Sequence, residues 1–493
     1  MNIVVLGAGT AGLVTALTIR EKYPLAKITI IKSGEIGIIG VGEGSTEHWT
    51  QFMDYVGIDV VDLIYETKAT VKIGILFKDW NYNSEYVHNV VVYSQSSLNR
   101  PELFNHLYLL NNDKFPLSPG FNEIYYKNYV EHTNNFRCSN QYHFDTFKLN
   151  EYLMKKCLER DMIVIDTIVT DVLQAPNGDI TYLTTEHSNI PGDIFIDCSG
   201  FKRVISSKLG VQWESKSKHL PMNRAIAFPT ELDDPDNIEP YTTSTALSAG
   251  WSWKIPTQER YGNGYVFNSD YISADQALGE MNLVLNRNVE KAARDIKFDA
   301  GKVNKFWVRN VISVGLSSSF AEPLEAQSIG FTIIQAGSLI NYLDTWAFNK
   351  GVSDQYNEDM DKVFNNIIDY LQLHYFGNRT DTKFWQDKPF VLTDFIKNNI
   401  EQFKSGIIDP ILFKDNFMFK TANFYQVLAG LNLINKNSLK ESFSKNRDQY
   451  NLNSYSAAMS IINKTGTQLV IKHNEYLKQV NDNYIYRRSL SES

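Results

Sequence analysis

Residues 2–12 of the chain read NIVVLGAGTAG, and LVTALTIRE at 13–21 and ITII at 28–31 follow. The apolar run from Asn2 to Leu6 predicts a short buried strand, and the glycines after it predict a tight turn. Residues 13–21 predict a helix and residues 28–31 predict a second strand. This order of strand, glycine-rich turn, helix and strand begins a Rossmann-type βαβ unit, so the sequence predicts an α/β fold.

The spacing of the glycines in this turn predicts a binding site. Gly7 permits the tight turn, Gly9 lets the backbone approach a pyrophosphate, and Gly12 lets the helix pack closely on the sheet. A diphosphate would lie at the helix N-terminus beside Thr10 and Ala11, where the helix dipole is positive. The pattern therefore predicts dinucleotide binding. A glycine-rich loop of another α/β fold is the alternative interpretation.

The end of the second strand departs from the usual pattern of such a unit. An acidic residue normally stands there and binds the adenosine ribose. In this chain Ile30 and Ile31 are followed by Lys32. The candidates for ribose recognition are therefore Lys32 itself, Ser33 and Glu35.

Composition and charge exclude several classes of protein. The 493 residues are 43% hydrophobic and 13% aromatic, which is enough for a large core. A net charge of −8 without a basic cluster argues against a nucleic-acid partner. Cys138, Cys157 and Cys198 have no metal-ligand spacing, so we expect neither a metal site nor a disulfide framework. No stretch reaches the roughly 20 apolar residues of a membrane span. We therefore expect a cytoplasmic protein that acts on small molecules without contacting a membrane.

Short motifs with a recognisable order continue along the chain after the N-terminal turn. They are VGEGS at 41–45, TVKIGILF at 70–77, HFD at 143–145, IDCSGF at 196–201, GWSWKIP at 250–256, GNGYVF at 262–267, GLSSSFAEPLEAQSIG at 315–330, HYFGNRTDTKFW at 374–385 and FYQVLAGL at 424–431. Together with GAGTAG at 7–12, this series resembles the flavin-dependent tryptophan halogenase family over roughly residues 1–430.

The resemblance implies a two-component enzyme. A separate flavin reductase supplies FADH2, reduced FAD and O2 oxidise a halide ion to a hypohalous species, and that species halogenates a small aromatic substrate. The implied fold is an FAD-binding, glutathione-reductase-like core with a mixed β-sheet region over residues 1–345, followed by a mostly helical, substrate-side C-terminal subdomain over 346–493. Further FAD contacts are implied for Gly42, Glu43, Gly315, Leu316 and Ile329.

Lys72 is implied to guide the oxidant. In the stretch TVKIGILF, Lys72 alternates with Gly74 and Leu76 on one face of a predicted strand whose other face is apolar. A desolvated ammonium group has a lowered pKa, which suits hydrogen bonding to an electrophilic halogen. A lysine at a strand edge that extends to water is the alternative interpretation. Lys78, near the strand end, resembles a surface charge.

Glu325 is implied to be the catalytic acid, which can orient Lys72 or the hypohalous species and assist loss of the ring proton. A glutamate that only caps the helix is the alternative interpretation. Pro323 predicts a turn entering a helix, whose free N–H groups can hold a halide ion. Gln327 and Ser328 are the residues expected at that halide site. Where the family usually has Glu-Ser-Thr, this chain has Ala326 after the glutamate. Losing that hydroxyl favours a weakly hydrated ion, so bromide or iodide is plausible over chloride.

Trp251 and Trp253 are two residues apart in GWSWKIP, so on a strand their side chains project to the same face. By resemblance they form a barrier that keeps an organic substrate away from the flavin while halide passes. Two tryptophans spaced in this way on a strand are also common as core packing, which is the alternative interpretation.

The native substrate is the least determined part of the sequence. Beyond Gly430 no motif matches the pocket that tryptophan-accepting family members use, so an electron-rich indole or phenol is preferred over free tryptophan. Two other functions compete with halogenation: a single-component FAD-dependent aromatic hydroxylase and a flavin-binding protein without catalysis. A homo-oligomer is compatible with the sequence.

Overall fold

The computed structural model describes residues 1–35, 37, 43–89, 128–132, 135–136, 141–346, 348–406, 408–414, 416–445 and 470–491. The strands are β1 Asn2–Leu6, β2 Lys27–Lys32, β3 Glu43–Gly44, β4 Thr70–Val71, β5 Gly74–Lys78, β6 Glu85–Asn89, β7 Tyr129–Glu131, β8 Tyr142–Phe144, β9 Ile163–Asp166, β10 Val169–Gln174, β11 Ile180–Thr185, β12 Asn189–Pro191, β13 Ile194–Asp197, β14 Trp213–Ser215, β15 Arg224–Thr230, β16 Thr242–Leu247, β17 Gly250–Pro256, β18 Tyr261–Phe267, β19 Arg294–Lys297, β20 Gly301–Val303, β21 Trp307–Val308, β22 Val311–Ser313, β23 Ser319–Phe320 and β24 Val470–Lys472. The α-helices are α1 Thr10–Lys22, α2 His48–Val56, α3 Val60–Thr67, α4 Thr146–Leu158, α5 Ala274–Leu285, α6 Gln327–Trp346, α7 Val352–His374, α8 Lys383–Asp387, α9 Asp394–Lys404, α10 Thr421–Gly430, α11 Lys436–Lys445 and α12 His473–Ser491.

Two compact units share these elements, and each unit is assembled from three separate stretches of chain. Unit 1 comprises Met1–Asp59, Phe144–Ser217 and Asp299–Asn365. Unit 2 comprises Val60–His143, Lys218–Phe298 and Asn366–Ser493. The division of the chain after residue 345 that the sequence suggests stays a prediction.

Unit 1 is built on a six-stranded sheet with the order β21-β22-β13-β1-β2-β9. All its pairs are parallel except that of β21 with β22. Interior strands of a parallel sheet are covered on both faces, which explains why β1, β2 and β13 are nearly continuous apolar runs. Helix α1 packs against α4 and α6. The predicted βαβ unit is therefore confirmed.

The first helix begins earlier than the sequence predicts. The amide of Leu13 donates to the carbonyl oxygen of Gly9 at 3.1 Å, so the turn residues themselves form the first helical turn. The helix accordingly runs from Thr10 to Lys22 rather than from residue 13 to residue 21. Apolar periodicity marks the buried face of a helix, but it does not mark a first turn made of small residues.

Unit 2 is built on a seven-stranded sheet with the order β19-β15-β18-β17-β16-β5-β6. Its pairs are antiparallel except that of β16 with β5, so it is the mixed sheet that was expected. Within the described residues, α9, α10, α11 and most of α12 confirm the helical character of the C-terminal part. No helix in the described part of the chain is long and apolar enough to cross a membrane.

The predicted continuous strand over residues 70–77 is wrong. Strand β4 ends at Val71 and β5 begins at Gly74, so Lys72 and Ile73 lie outside regular strand structure. The interruption has a topological cause: β4 pairs with β8, whereas β5 pairs with β16 and β6. The chain changes sheets at Lys72, and a simple alternation of side chains through this point does not hold.

Asp369 on α7 is a buried carboxylic acid whose ionisation should weaken unit 2. Burial raises its pKa to about 7, although the Thr393 hydroxyl donates a hydrogen bond to it at 2.5 Å. A raised pKa means that the folded state binds more protons than the unfolded state between the ordinary value of 3.8 and about 7. The free energy of unfolding should therefore fall as pH rises through this window and stay level above it.

Replacing Asp369 by asparagine should remove this penalty, because the amide keeps an oxygen for Thr393 and carries no charge. We expect Asp369→Asn to raise the free energy of unfolding at pH 8 by about 1–3 kcal/mol and to have a smaller effect at pH 5. Urea unfolding at both pH values measures the difference. Asp394→Asn is the control, because that side chain is 94% exposed. An equal loss of stability at both pH values would contradict the expectation.

Candidate active site

The glycine-rich turn of unit 1 contains two glycines that the protein itself requires. Gly7 has φ +108°, and a Cβ atom on it would lie 2.2 Å from the carbonyl oxygen of Cys198. A Cβ on Gly12 would lie 1.9 Å from the carbonyl oxygen of Gly7. Neither position has room for a side chain. These two residues shape the turn and pack α1 against it, as the sequence predicts.

Gly9 differs from its two neighbours, because among the described residues a Cβ placed on it would meet no atom within 4 Å. It is the N-cap of α1, it offers no side-chain cap, and the first turn of the helix has no acidic residue. Open space therefore adjoins the positive helix end and the N–H groups of Thr10 and Ala11. This arrangement suits the pyrophosphate of FAD, so the residues of the turn fit the cofactor.

Asp197 holds the turn that faces the glycines, and the sequence analysis missed it. Its carboxylate accepts hydrogen bonds from the backbone and hydroxyl of both Ser199 and Ser206, at 2.6–3.1 Å. It also accepts one from the amide of Ile205 at 3.0 Å. The next residue is Cys198, whose carbonyl oxygen approaches Gly7. The motif IDCSGF contains the signal, since an acid flanked by small hydroxyl residues often satisfies backbone donors.

Gly315 approaches the helix of the dinucleotide turn closely. Its φ is +65°, and a Cβ on it would lie 2.4 Å from the Cβ of Ala11. The amide of Gly315 donates to the side chain of Gln335 on α6 at 3.3 Å. Leu316 follows in a single 3₁₀ turn over Gly315–Ser317. The structure therefore brings residues 315–317 beside the start of α1, while their contact with FAD stays a prediction.

Lys32 lies at the end of β2 and makes an ion pair. Its Nζ is 2.9 Å from Oδ2 of Asp166, and Oδ1 of Asp166 accepts the amide of Gly34 at 3.0 Å. These hydrogen bonds, that of Lys32 first, lower the pKa of Asp166. An acid thus stands at this sheet edge, but it comes from the neighbouring strand β9. Ribose recognition by Lys32, Ser33 or Glu35 stays a prediction.

Glu325 is 3% exposed and lies in the turn that leads into α6. The amide of Ala326 donates to the carbonyl oxygen of Pro323 at 3.1 Å, and the helix begins at Gln327. The predicted turn and helix start are confirmed. Ala326 has φ +55°, a left-handed conformation that costs a residue with a Cβ about 1–2 kcal/mol. Ser328 is exposed in the first turn of the helix.

The side chain of Gln327 turns back onto the residues before it. Its Nε2 donates to the carbonyl oxygen of Glu322 at 2.7 Å and to that of Ala321 at 3.3 Å. Gln327 is 2% exposed, and within the described part of the chain its Oε1 accepts no hydrogen bond. Ile329, one of the implied FAD contacts, is also buried at the start of α6.

Lys72 is 1% exposed, so the interpretation of a lysine that extends to water is wrong. Lys78 is the surface charge that the sequence suggested: its side chain is 40% exposed and its Nζ lies 3.3 Å from Glu85. Lysine side chains are seldom buried, and buried ionisable groups are common at functional sites, which makes Lys72 the more informative of the two lysines.

A second buried residue, His143, belongs to the surroundings of Lys72 in unit 2. Burial first, and then the charge of Lys72, lower the pKa of His143 well below its ordinary value. Thr70 donates its hydroxyl to the carbonyl oxygen of Pro256 at 2.7 Å, so it accepts from Nδ1 of His143 at 3.0 Å. The other ring nitrogen then accepts from Thr242 at 2.9 Å. This assignment makes His143 a neutral imidazole with both ring nitrogens bonded.

Trp251 and Trp253 lie on β17 and are both buried. Their ring centroids are 6.0 Å apart, and their planes make an angle of 54°. A Cβ on Gly264 of the adjacent strand would lie 2.1 Å from the indole of Trp253, so the glycine in GNGYVF leaves room for that ring. The predicted pairing of the two indoles is confirmed. Their role as a barrier stays a prediction.

The motif at 374–385 holds the hairpin that carries these tryptophans. Nη1 of Arg379 donates to the carbonyl oxygen of Ala246 at 2.6 Å, and Nε1 of Trp385 donates to that of Leu247 at 2.7 Å. The hydroxyl of Thr382 donates to the next carbonyl oxygen, that of residue 248, at 2.6 Å. These three side chains position the loop between β16 and β17.

The predicted site residues divide between the two units. Those of unit 1 are the dinucleotide turn, Gly315, Leu316, Glu325 and the start of α6, whereas Lys72, Trp251 and Trp253 belong to unit 2. Gly42 lies outside the described residues, and the side chain of Glu43 does as well.

Comparison with known proteins identifies the family. The profile described as tryptophan halogenase matches residues 2–444. The tryptophan 6-halogenase ThaL of Streptomyces albogriseolus is 30% identical over 483 residues, which cover 89% of this chain and 90% of ThaL. The tryptophan 7-halogenase RebH of Lentzea aerocolonigenes is 28% identical over 479 residues, which cover 88% of this chain and 90% of RebH.

Solved structures agree with this assignment. A tryptophan halogenase of Shewanella frigidimarina has the same fold, with a TM-score of 0.87 at 22% identity over 98% of both chains. BrvH, a flavin-dependent halogenase from Brevundimonas, gives a TM-score of 0.80 at 26% identity, covering 97% of this chain and 99% of BrvH. The chain belongs to the tryptophan halogenase family and is a flavin-dependent halogenase, an enzyme that uses reduced FAD, O2 and a halide ion.

Proposed function

We propose that this enzyme oxidises bromide or iodide in preference to chloride and that Lys72 guides the hypohalous species to an electron-rich indole or phenol. A separate flavin reductase supplies FADH2. The observation that carries the proposal is the burial of Lys72, which is 1% exposed at the point where the chain changes sheets. An amine held away from water can donate a hydrogen bond to the hypohalous oxygen without competition from solvent.

Glu325 serves the second half of the reaction. Electrophilic attack on an aromatic ring leaves a proton on the halogenated carbon, and a nearby carboxylate can accept that proton and restore the aromatic ring. Glu325 is buried at 3% exposure, so water does not screen its charge effectively. Lys72 and Glu325 therefore have separate tasks, which are orienting the oxidant and removing the ring proton.

FAD, when bound in its reduced form, supplies the electrons that activate O2. The residues of unit 1 that would hold it are Gly9, Thr10 and Ala11 at the pyrophosphate and Gly315 and Leu316 near the helix start. In unit 2, Trp251 and Trp253 are both buried and their rings pair on one strand. Paired indoles of this kind suit the proposed barrier, which would keep an organic substrate from the flavin while a small halide ion passes.

The halide preference follows from the first turn of α6. The backbone N–H groups of Gln327 and Ser328 can hold an anion there. Ala326 has no hydroxyl, which makes the site less polar. Oε1 of Gln327 is a buried acceptor with no hydrogen bond among the described residues, which makes the site less favourable to a small anion. Chloride loses more hydration energy than bromide or iodide on entering such a site.

Ala326→Ser should shift the halide preference toward chloride. One added hydrogen-bond donor is worth about 1 kcal/mol, which corresponds to about fivefold in the chloride-to-bromide ratio. Equimolar chloride and bromide compete for one indole substrate, and the masses of the products give the ratio for each variant.

Ala326→Gly is the matched control for this shift. Glycine tolerates φ +55° and adds no donor, so it should leave the ratio unchanged. An unmodified enzyme that chlorinates at least as well as it brominates would end the halide proposal.

The reaction itself can be tested with the full chain, an NADH-dependent flavin reductase, FAD, sodium bromide and indole. We expect a product whose mass shift depends on the halide. A hydroxylated product without halogen would instead indicate an aromatic hydroxylase. If no product forms from the substrate, the protein would be a flavin-binding protein without catalysis. Free tryptophan, tested in parallel, should be a poorer substrate than indole.

A further inference from the structure

The backbone around Lys72 is held by three different parts of unit 2. Three consecutive amides at the change of sheets donate to acceptors from distant stretches of sequence. The bonds are Val71 N–H to Nε2 of His473 at 3.2 Å, Lys72 N–H to the carbonyl oxygen of Gln141 at 2.9 Å, and Ile73 N–H to that of Pro240 at 2.7 Å. Two of these acceptors are backbone carbonyls. The third acceptor is a side-chain nitrogen, so this hydrogen bond depends on which residue occupies position 473.

His473 is the first residue of α12 and is fully buried. Because Nε2 accepts the amide proton of Val71, that nitrogen carries no hydrogen. The proton is then on Nδ1, which donates to the carbonyl oxygen of Ile238 at 2.9 Å. Burial lowers the pKa of His473 to about 4, so the ring is neutral at ordinary pH and keeps this pattern of one donor and one acceptor.

The ring of His473 therefore ties the residue before Lys72 to the loop between β15 and β16, which contains Ile238 and Pro240. That loop accepts the amide of Ile73, the residue after Lys72. Both sides of Lys72 are fixed by one imidazole and the loop it binds. Lys72 lies outside the regular strands. The hydrogen bonds to His473 and to the loop therefore hold its backbone where cross-strand hydrogen bonds would hold a continuous strand.

We infer that His473 is a positioning residue for Lys72, which fixes the backbone of the lysine so that its amine meets the oxidant and the substrate in a productive geometry. This inference rests on the proposed function of Lys72. It assigns to the start of the C-terminal helix a task in the halogenation step that is separate from FAD binding in unit 1. A displacement of about 1 Å at a reacting group can lower a rate by about a hundredfold.

Two substitutions separate the bonds that His473 makes. The amide of glutamine can place an acceptor where Nε2 lies, so His473→Gln can keep the bond to Val71. The shorter asparagine can place a donor where Nδ1 lies, so His473→Asn can keep the bond to Ile238 and lose the other. Asn474→Ala is the matched control: Oδ1 of Asn474 accepts the amide of Ile238 at 2.8 Å and its Nδ2 donates to the carbonyl oxygen of Pro235 at 2.7 Å, and no hydrogen bond joins it to residue 71 among the described residues.

The variants should be compared in the full chain by two measurements. Hydrogen exchange followed by mass spectrometry reports the protection of the peptide that contains residues 70–73. Bromination of indole, divided by reduced FAD consumed, reports how well the oxidant reaches the substrate. We expect His473→Asn to lose protection and to lower this ratio by about tenfold to a hundredfold. His473→Gln and Asn474→Ala should stay within about twofold, and FAD affinity should be unchanged in all three.

The outcomes distinguish the inference from a purely structural role. Equal losses in the glutamine and asparagine variants, in step with their melting temperatures, would overturn it. Lost protection at residues 70–73 with an unchanged bromination ratio would also overturn it. A Lys72→Ala enzyme that brominates indole as well as the unmodified enzyme would instead overturn the proposed role of Lys72, and the exchange measurement would still show whether His473 holds the amide of Val71.

Discussion

Replacing Lys72 by alanine is expected to lower bromination of indole by about a thousandfold or more while reduced FAD is still oxidised. The residues of unit 1 that would hold the flavin are unchanged, so the oxidant still forms and leaves as free hypohalous acid. Without the buried amine nothing orients that species toward the substrate. Mass spectrometry of the product, together with a dye that reacts with free hypohalous acid, measures both quantities in one experiment.

Two further variants serve as controls for this prediction. Lys72→Met preserves most of the buried volume and removes only the charge and the donors, so it should fold well and be as inactive as the alanine variant. Lys78→Ala should be near neutral, because Lys78 is a half-exposed partner of Glu85 and exposed ion pairs contribute little. Full bromination by the methionine variant would refute the assignment of Lys72.

Gly9→Val is expected to weaken FAD binding by about a hundredfold while the protein stays folded. The backbone of Gly9 is extended, with φ −72°, and a Cβ there meets no atom within 4 Å in the part of the chain that the structure describes. The folded chain therefore tolerates a side chain at this position, apart from about 1 kcal/mol for a poorer N-cap. A pyrophosphate at the helix end would meet the valine directly. Fluorescence titration with FAD and a thermal melt measure the two effects separately.

Gly7→Val is the informative contrast. A side chain on Gly7 would overlap the carbonyl of Cys198, and φ +108° is strained for any residue with a Cβ, so this variant should fail to fold. The comparison separates a glycine needed for a ligand from one needed for packing. If Gly9→Val binds FAD as tightly as the unmodified protein, the pyrophosphate does not lie at this turn.

The features that depend on local patterns could be predicted from the order of the residues alone. The spacing of Gly7 and Gly12 requires a tight turn wherever the chain folds, because no side chain fits there. The alternation in GWSWKIP places Trp251 and Trp253 on one face, since strand geometry has a period of two. Pro323 predicts the turn into α6. In the strand and in the turn before α6 the interacting residues are neighbours in sequence, so the pattern contains the geometry. The approach of Gly7 to the carbonyl of Cys198 is instead a contact between distant residues.

Contacts between residues that are distant in the sequence became visible only in the folded chain. The ion pair of Lys32 with Asp166 depends on the pairing of β2 with β9. The predicted strand through Lys72 is broken because its two halves pair with different sheets. His473 reaches the amide of Val71 across 402 positions of sequence. No local periodicity encodes such contacts, because they follow from how whole elements bury their apolar faces and satisfy their backbone hydrogen bonds against one another.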